Sequence, residues 1–536
     1  MKTSAPFLTG PPEVRLVNAF VRPFENAVAT ARTCYSGKGI VTAEEVSGDH
    51  EADPGKRADR GERRDALARD IYQAGHHTTL QHAHFQFAIE RVSRHCLWSF
   101  LHSHPFYNSE QVSQRYVEVR RGACAVPPLE GRAEAVYVGA VEAETEAYRR
   151  LIGVLAPVVA DEYYRIFPAR RKHPQYEKDV KKKAQEIARY VLPIATFAHL
   201  YHTVSGLTLL RYWRACEQFD APAETRALVR AMVGALLAHD PLYRAILEDP
   251  IAIEDTPEWA VLRERVESVG VGAGSRATRE FLAEFDASLG ARVSRLVDRK
   301  ERNEEILACA VREVFGIPRA ALPDDDAIAL VLDPAKNSYF GESLNVTTHS
   351  KLSRALHHAA YTFRKKLSHT ADSQDQRHRM TPASRPILSA HGTDEPDCIV
   401  PDLVKRSPEG LAIYASAMER AWDAARELRS LGVPDEFAQY VLPNALAVRF
   451  TESSDLLHLH HKLKSRLCYN AQEEIWRASL DEALQIAEAE PRIGRYLLPP
   501  CGVRLLAATT PYCPEGSRYC GVPVWRLDRR EYARLL

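Results

Sequence analysis

The chain carries one pattern twice, and that duplication limits its fold more than any other feature. His82-Ala83-His84-Phe85-Gln86-Phe87 is answered by His358-Ala359-Ala360-Tyr361-Thr362-Phe363, 276 residues on. Tyr190-Val191-Leu192-Pro193 returns as Tyr440-Val441-Leu442-Pro443 at an offset of 250, and Ala221–Arg226 is faintly echoed by Ala471–Trp476 at the same offset. Arg32–Tyr35 and Arg312–Phe315, 280 apart, mark the two beginnings. The drop of 26 between the first two offsets means that copy one holds extra residues in its middle. A repeat reuses one structural plan, so the chain is expected to divide with it. Copy one runs over 1–245, a helical connector over 246–299, copy two over 300–490 and a cysteine-containing extension over 491–536. Gly270–Ser275, a run of small residues, interrupts the connector.

Each copy reads as an opening helix, then a strand of alternating character such as HFQFAIERV, then a polar His/Arg-rich segment and long helices. One of those helices is expected to bend at the VLP proline, which removes a helical hydrogen bond. The pattern lacks alternating βαβ units, and no G-x-G-x-x-G follows a strand, so a dinucleotide-binding Rossmann fold is not supported. The expected class is α+β, two tandem domains that each combine a mixed sheet with long helices.

Charge excludes some functions. Lys+Arg and Asp+Glu both number 71, so no global field draws the chain to nucleic acid or anionic lipid. Arg170-Arg171-Lys172 with Lys181-Lys182-Lys183 reads as a solvated face. No run approaches the roughly 18 apolar residues of a membrane span, and the N-terminus has no apolar signal core. Ten cysteines in a chain this long do not form a secreted disulfide framework. A cytoplasmic protein is expected.

Four groups of residues could carry chemistry. In SQDQRHRMTPASRP, a helix over Ser373–Arg379 would place Gln374, Arg377 and His378 on one face and turn Arg379 away. Pro382 would stop that helix. Arginines suit planar recognition of phosphate or pyrimidine oxygens, although Asp372 and Asp375 could simply pair with them at an exposed helix end. In the first copy, an extended Asn108–Tyr116 would point Ser113 and Arg115 the same way, as a phosphate clamp or an ordinary polar edge strand. Histidines cluster at His76, His77, His82 and His84, and at His458, His460 and His461, which leaves a metal-dependent hydrolase open. Cys468, Cys501, Cys513 and Cys520 lie among Pro and Gly and could form a structural zinc site or stay free thiols.

Together these pieces resemble the flavin-dependent thymidylate synthases, written as a tandem fusion of two diverged copies. Members carry G-H…H…F-x-F, then Q-x-x-R-H-R, S-x-R-Y and A-R-x-V-L-P, and close with an arginine five residues before A-Q-x-E-I. Gly75-His76, His82, Phe85 and Phe87 match the first motif in copy one; Gln374 with Arg377-His378-Arg379 matches the second in copy two. Ser113-Gln114-Arg115-Tyr116 and Ala188-Arg189-Tyr-Val-Leu-Pro193 match the next two in copy one, and Arg466 before Ala471–Ile475 matches the last in copy two. Neither copy is complete. Copy one has Ser99 and His102-Ser103-His104, one residue out of register, for the second motif, and Cys216 for the late arginine. Copy two has Ile387 where S-x-R-Y should begin and Gln439 for the A-R-x-V-L-P arginine.

The resemblance implies one composite site whose pseudo-symmetric twin is lost. It implies reductive methylation of deoxyuridine monophosphate (dUMP) to thymidylate (dTMP), with methylenetetrahydrofolate as carbon donor and FAD reduced by NADPH. Ser113, Gln114, Arg115 and Arg189 would grip phosphate and ribose; Gln374, Arg377 and Arg466 would read and polarise the uracil. Arg377, His378, Arg379, His461, His76 and Thr78 would contact the flavin or folate, and no protein nucleophile is needed. Two fused chains would pair to mimic the family's tetramer. Asp455 and His461 stand where the family has asparagines. Those departures leave room for a different pyrimidine nucleotide, or for a flavin-free nucleotide-binding or scaffold homologue.

Overall fold

The computed structural model describes residues 6–269, 274–534 and 536; of the connector's small residues, 270–273 lie outside the described residues. The chain forms two compact units that interleave the copies. The first combines residues up to Glu142 with Pro193 into the connector and Asp423–Leu442; the second combines Ala143–Leu192, the rest of the connector through Trp422, and Pro443 onward. Each unit therefore holds a segment of the other copy. Among the described residues, no helix is long and apolar enough to cross a membrane.

In the first unit, β1 (Glu13–Ala19), β2 (His84–Ser93), β3 (Asn108–Gln111) and β4 (Phe197–Ser205) form a sheet in the order β1-β2-β4-β3. In the second, β5 (Ser294–Arg299), β6 (Ala360–Ser368), β7 (Ala383–Ser384) and β8 (Ala447–Asp455) repeat it as β5-β6-β8-β7. The class is α+β with two tandem domains, and every strand pair in both sheets is antiparallel rather than mixed. Phe85 and Phe87 on β2, like Tyr361 and Phe363 on β6, are fully buried, which is what the alternating pattern demanded.

Two expectations about local structure are corrected. Each copy opens with a strand, β1 or β5, ahead of its first helix at Pro23–Thr33 or Asn303–Phe315. Both are edge strands with little buried surface, so they lack the period-two apolar signal. The VLP proline does not bend a helix but follows its end. The Glu177–Ala188 helix runs out through a 3-10 turn at Arg189–Val191, and Leu192 is extended because proline disfavours helix in the residue before it. Asp435–Ala438 and Gln439–Val441 do the same in copy two.

A β-bulge explains the register of the repeats. The β2–β4 pairing slips between Ile89 and Val92, with Arg91 at φ 57°, whereas β6 pairs with β8 without a slip. The extra residue shortens the offset from 276 at Phe87/Phe363 to 275 at Ser93/Ser368. Ser99 and His102–His104 are thereby in register with Gln374 and Arg377–Arg379.

A buried glutamate anchors each unit. Ser368 ends β6 and caps the His369–Asp375 helix, accepting from the Ala371 amide at 3.1 Å. Its hydroxyl donates to Glu474 Oε2 at 2.7 Å, and its amide donates to Glu474 Oε1. Tyr190, from copy one, donates to the same Oε2 at 2.7 Å. In the first unit Glu224 accepts from Ser93 and, at 2.6 Å, from Tyr440 of copy two. Burial pushes Glu474 up from 4.5 to about 7, against the pull of the Ser368 and Tyr190 hydrogen bonds. The folded chain thus holds a proton that the unfolded chain releases at lower pH. The associated stability is full below the ordinary carboxyl range and is lost as pH rises through about 7. We predict that the urea midpoint falls between pH 5 and pH 8 and that Glu474→Gln flattens this fall; an unchanged pH slope in the variant would refute the assignment.

Candidate active site

The second unit assembles most of the copy-two residues picked from the sequence. Gln374 lies in the last turn of the His369–Asp375 helix, while Arg377, His378 and Arg379 lie beyond its end, not on a shared helical face. The backbone there turns instead, with His378 N–H donating to Asp375 O at 3.0 Å and Thr381 N–H to His378 O at 2.9 Å. The helix has therefore already ended before Pro382. Arg466, the last residue of the Leu456–Arg466 helix, donates from Nη2 to Gln374 O at 2.9 Å and from Nε to His378 Nε2 at 2.8 Å. Accepting that bond requires a bare Nε2, and burial, with the cations Arg466 and Lys462, holds His378 well below its ordinary pKa. The exposed His461 meets His378 edge-on, ring centroids 6.1 Å apart.

Two residues missed in the sequence complete this arm. Gln374 Nε2 donates to Gln472 Oε1 at 2.9 Å, and Gln472 Nε2 donates to Tyr190 Oη at 2.5 Å. A copy-two glutamine is thus linked to a copy-one tyrosine that also bonds Glu474. Arg189, buried beside Tyr190, is held through its carbonyl by Asn444 Nδ2 at 3.0 Å. The shared 250-residue offset of Tyr190/Tyr440 and Glu224/Glu474 was the sequence signal for these contacts.

Beneath the arm lies a knot of buried charge. Lys365 Nζ sits 3.1 Å from Asp375, 2.8 Å from Glu452 and 2.7 Å from Glu482. Lys462 Nζ lies 3.0 Å from Asp375 and also bonds Glu452. All five side chains are almost wholly buried. Two ammonium groups face three carboxyls, and burial raises the Glu452 pKa against the pull of both lysines. Asp372 is bound bidentately by Arg385 at 2.7 and 2.8 Å. Asp372 thus pairs with Arg385, and Asp375 with the two lysines.

The corresponding positions in copy one have a different interior. Ile89, Phe100, His202, Tyr212 and Met232 stand at the knot's five places. His104 and His202 bond Tyr212 Oη at 2.8 and 2.9 Å, His102 stacks on Tyr107 at 4.7 Å, and Phe100 packs on Tyr212 at 5.0 Å. Cys216, in place of the late arginine, is buried, which pushes its thiol up to about 11. Gln439, in place of the other arginine, donates to Asp220 O at 2.5 Å and lies 3.0 Å from His95 Nε2.

The remaining predicted residues belong to the first unit or to the extension. Ser113–Arg115 are not extended: β3 ends at Gln111, and Tyr116 N–H bonds Ser113 O at 3.1 Å while Ser113 Oγ accepts from the Arg115 amide at 3.2 Å. A serine hydroxyl two residues ahead of an amide favours such a turn over a strand. Gln114 is buried, and the Arg115 guanidinium lies 5.5 Å over the Tyr116 ring. His76 lines an open cleft of about 1210 Å³ with Arg32, Tyr35, Lys38 and Asp70; Thr78 is exposed in the next turn. In the second unit Cys468, Cys501, Cys513 and Cys520 all line one narrow hollow. Burial and the neighbouring sulfurs push Cys501 up to about 12, and burial takes Cys468 to about 11.

The model of the family described as "Thymidylate synthase complementing protein" matches this chain twice, over residues 15–242 and 295–491. The chain belongs to that family. Two separate matches agree with a tandem fusion of two diverged copies. Among curated relatives, "Flavin-dependent thymidylate synthase" of Geobacter sulfurreducens is 32% identical over 170 residues, 31% of this chain and 70% of the relative. Proteins of the same name from Clostridium tetani (26% over 224 residues; 41% and 80%) and Saccharolobus solfataricus (28% over 218 residues; 39% and 77%) are also similar.

The buried knot yields a stability prediction. Lys462→Met leaves buried carboxyls short of a cation and should cost about 3–5 kcal/mol in urea unfolding. Arg302→Ala, on the exposed pair with Glu305, should leave the midpoint in place. Equal effects of the two substitutions would contradict the knot's role.

Proposed function

We propose that this protein is a flavin-dependent thymidylate synthase that methylates dUMP reductively to dTMP, drawing on methylenetetrahydrofolate and NADPH, at one site built from both copies. The observation that carries this reading is the Arg466–Gln374 clamp joined through Gln472 to Tyr190 of the other copy. On this reading Gln374 reads the uracil edge, and Arg466 and Arg377 stabilise charge developing on its oxygen. Arg189, Ser113, Gln114 and Arg115 bind phosphate and ribose, since guanidinium and amide donors suit a phosphate. The cysteines serve no nucleophilic step.

FAD would supply the hydride. The donor set fits an anionic dinucleotide: two guanidinium groups, Arg377 and Arg379, flank His378 just past a helix end, and His76 borders an open cleft. Thr78 and His461 would add contacts. His378, held neutral, would keep Arg466 oriented while its ring faces the cofactor. One departure favours a second reading, a nucleotide-binding homologue without flavin, or one acting on another pyrimidine nucleotide. Asp455, where the family resemblance places an asparagine, is tied to His357 and His458 instead. A structural zinc at Cys468, Cys501, Cys513 and Cys520 would draw on four half-buried thiols that line one hollow, although their sulfurs stand wider than a closed ligand set. Two chains would pair in the cytoplasm to give the family's four-copy assembly.

The test is tritium release from dUMP labelled at C5, in the presence of FAD, NADPH and methylenetetrahydrofolate. Turnover is expected, with Arg466→Ala losing about 100–1,000-fold in kcat, the cost typical of one electrostatic donor. A flavin spectrum that shifts on adding dUMP would accompany it. No flavin binding and no tritium release would overturn the proposal.

A further inference from the structure

The geometry points to a divalent transition-metal site at His357, Asp455 and His458, in the second unit and apart from the proposed thiolate site. Among the described residues, this is the set of three or more His, Cys, Asp or Glu ligand atoms that lie within 4.8 Å of one another; the cysteine sulfurs stand wider apart. Both imidazoles present Nδ1 to one carboxylate oxygen. His357 Nδ1 lies 3.0 Å, and His458 Nδ1 2.9 Å, from Asp455 Oδ2. Ligands bonded at about 2.0–2.2 Å to one ion sit roughly 3 Å from each other, which both nitrogen–oxygen distances match, and all three ligand atoms lie within 4.8 Å.

The surroundings fit this use. Asp455 Oδ1 accepts from the His458 amide at 3.0 Å and so caps the Leu456–Arg466 helix. That bond fixes the carboxylate, with Oδ2 turned to both imidazoles and Oδ1 also 2.9 Å from His458 Nδ1. The rings stand 5.3 Å apart, tilted by 50°, not stacked face to face. All three side chains are partly exposed, at 39%, 24% and 18%, so an ion can enter and water can fill its remaining positions. Two imidazoles and one carboxylate favour Zn²⁺, Co²⁺ or Fe²⁺ over Mg²⁺ or Ca²⁺, which prefer all-oxygen sets.

The chain supplies its own comparison. At the corresponding places copy one has Gln81, Ser205 and Thr208, and there Ser205 caps its helix and bonds the Thr208 hydroxyl at 3.1 Å. A cap needs only one oxygen acceptor, and copy one meets that need with a hydroxyl. The two histidines and the acid of copy two exceed it. All three appear in the copy that keeps Gln374 and Arg466. The inference does not depend on flavin binding or on thymidylate synthesis.

The test titrates the metal-stripped full-length protein with CoCl₂ and follows the visible d–d bands. Asp455→Asn is the main variant, because asparagine caps a helix as well as aspartate and so spares the fold; His357→Gln is the second. We expect the parent-minus-variant difference spectrum to show about one equivalent of cobalt with nitrogen and oxygen ligands and no sulfur charge-transfer band. Affinity should fall at least tenfold in each variant. A difference spectrum of zero, or binding that persists unchanged in both variants, would overturn the site.

Discussion

A buried carboxylate that bonds a serine of its own copy and a tyrosine of the other sets the rest of this structure. Glu474 fixes Ser368, and with it the corner between β6 and the helix that carries Gln374. Tyr190 is fixed by the same oxygen, so a copy-one segment is built into the second unit. Glu224, Ser93 and Tyr440 do this in reverse. Neighbouring backbone bonds, such as Ala445 N–H to Tyr190 O at 2.9 Å and Ala195 N–H to Tyr440 O at 3.1 Å, extend each exchange. Neither copy could fold as an isolated stretch without leaving these partners behind.

From that shared frame the two copies diverge inside. The second keeps five ionisable side chains in its interior, whose desolvation is offset by their mutual pairing. The first fills the same five places with rings and aliphatic groups, which need no such pairing. A site requiring Gln374, Arg466 and a fixed His378 can stand over the knot, whereas Cys216 and the His102–Tyr107 stack cannot supply it.

Much of this could be read in the sequence. Offsets of 276 and 250 located both copies and both central strands, because buried Phe and Tyr at alternate positions give an unmistakable period. The edge strands β1 and β5 left no such signal. The Arg377–Arg379 segment was placed on a helix because it contains no breaker before Pro382. What ends the helix is tertiary, with Asp375 drawn to two buried lysines that are 10 and 87 residues away. Likewise Ser113 and Arg115 have a strand's alternation, yet the Ser113 hydroxyl binds its own backbone. Gln472 escaped notice because its partners, Gln374 and Tyr190, are 98 and 282 residues off.

The central claim is that two incomplete copies make one nucleotide site. Equilibrium dialysis with labelled dUMP at saturation tests it most directly. One molecule bound per chain, abolished by Gln374→Ala and by Arg189→Ala alike, is the predicted result. Two molecules per chain, or one that survives either substitution, would contradict it.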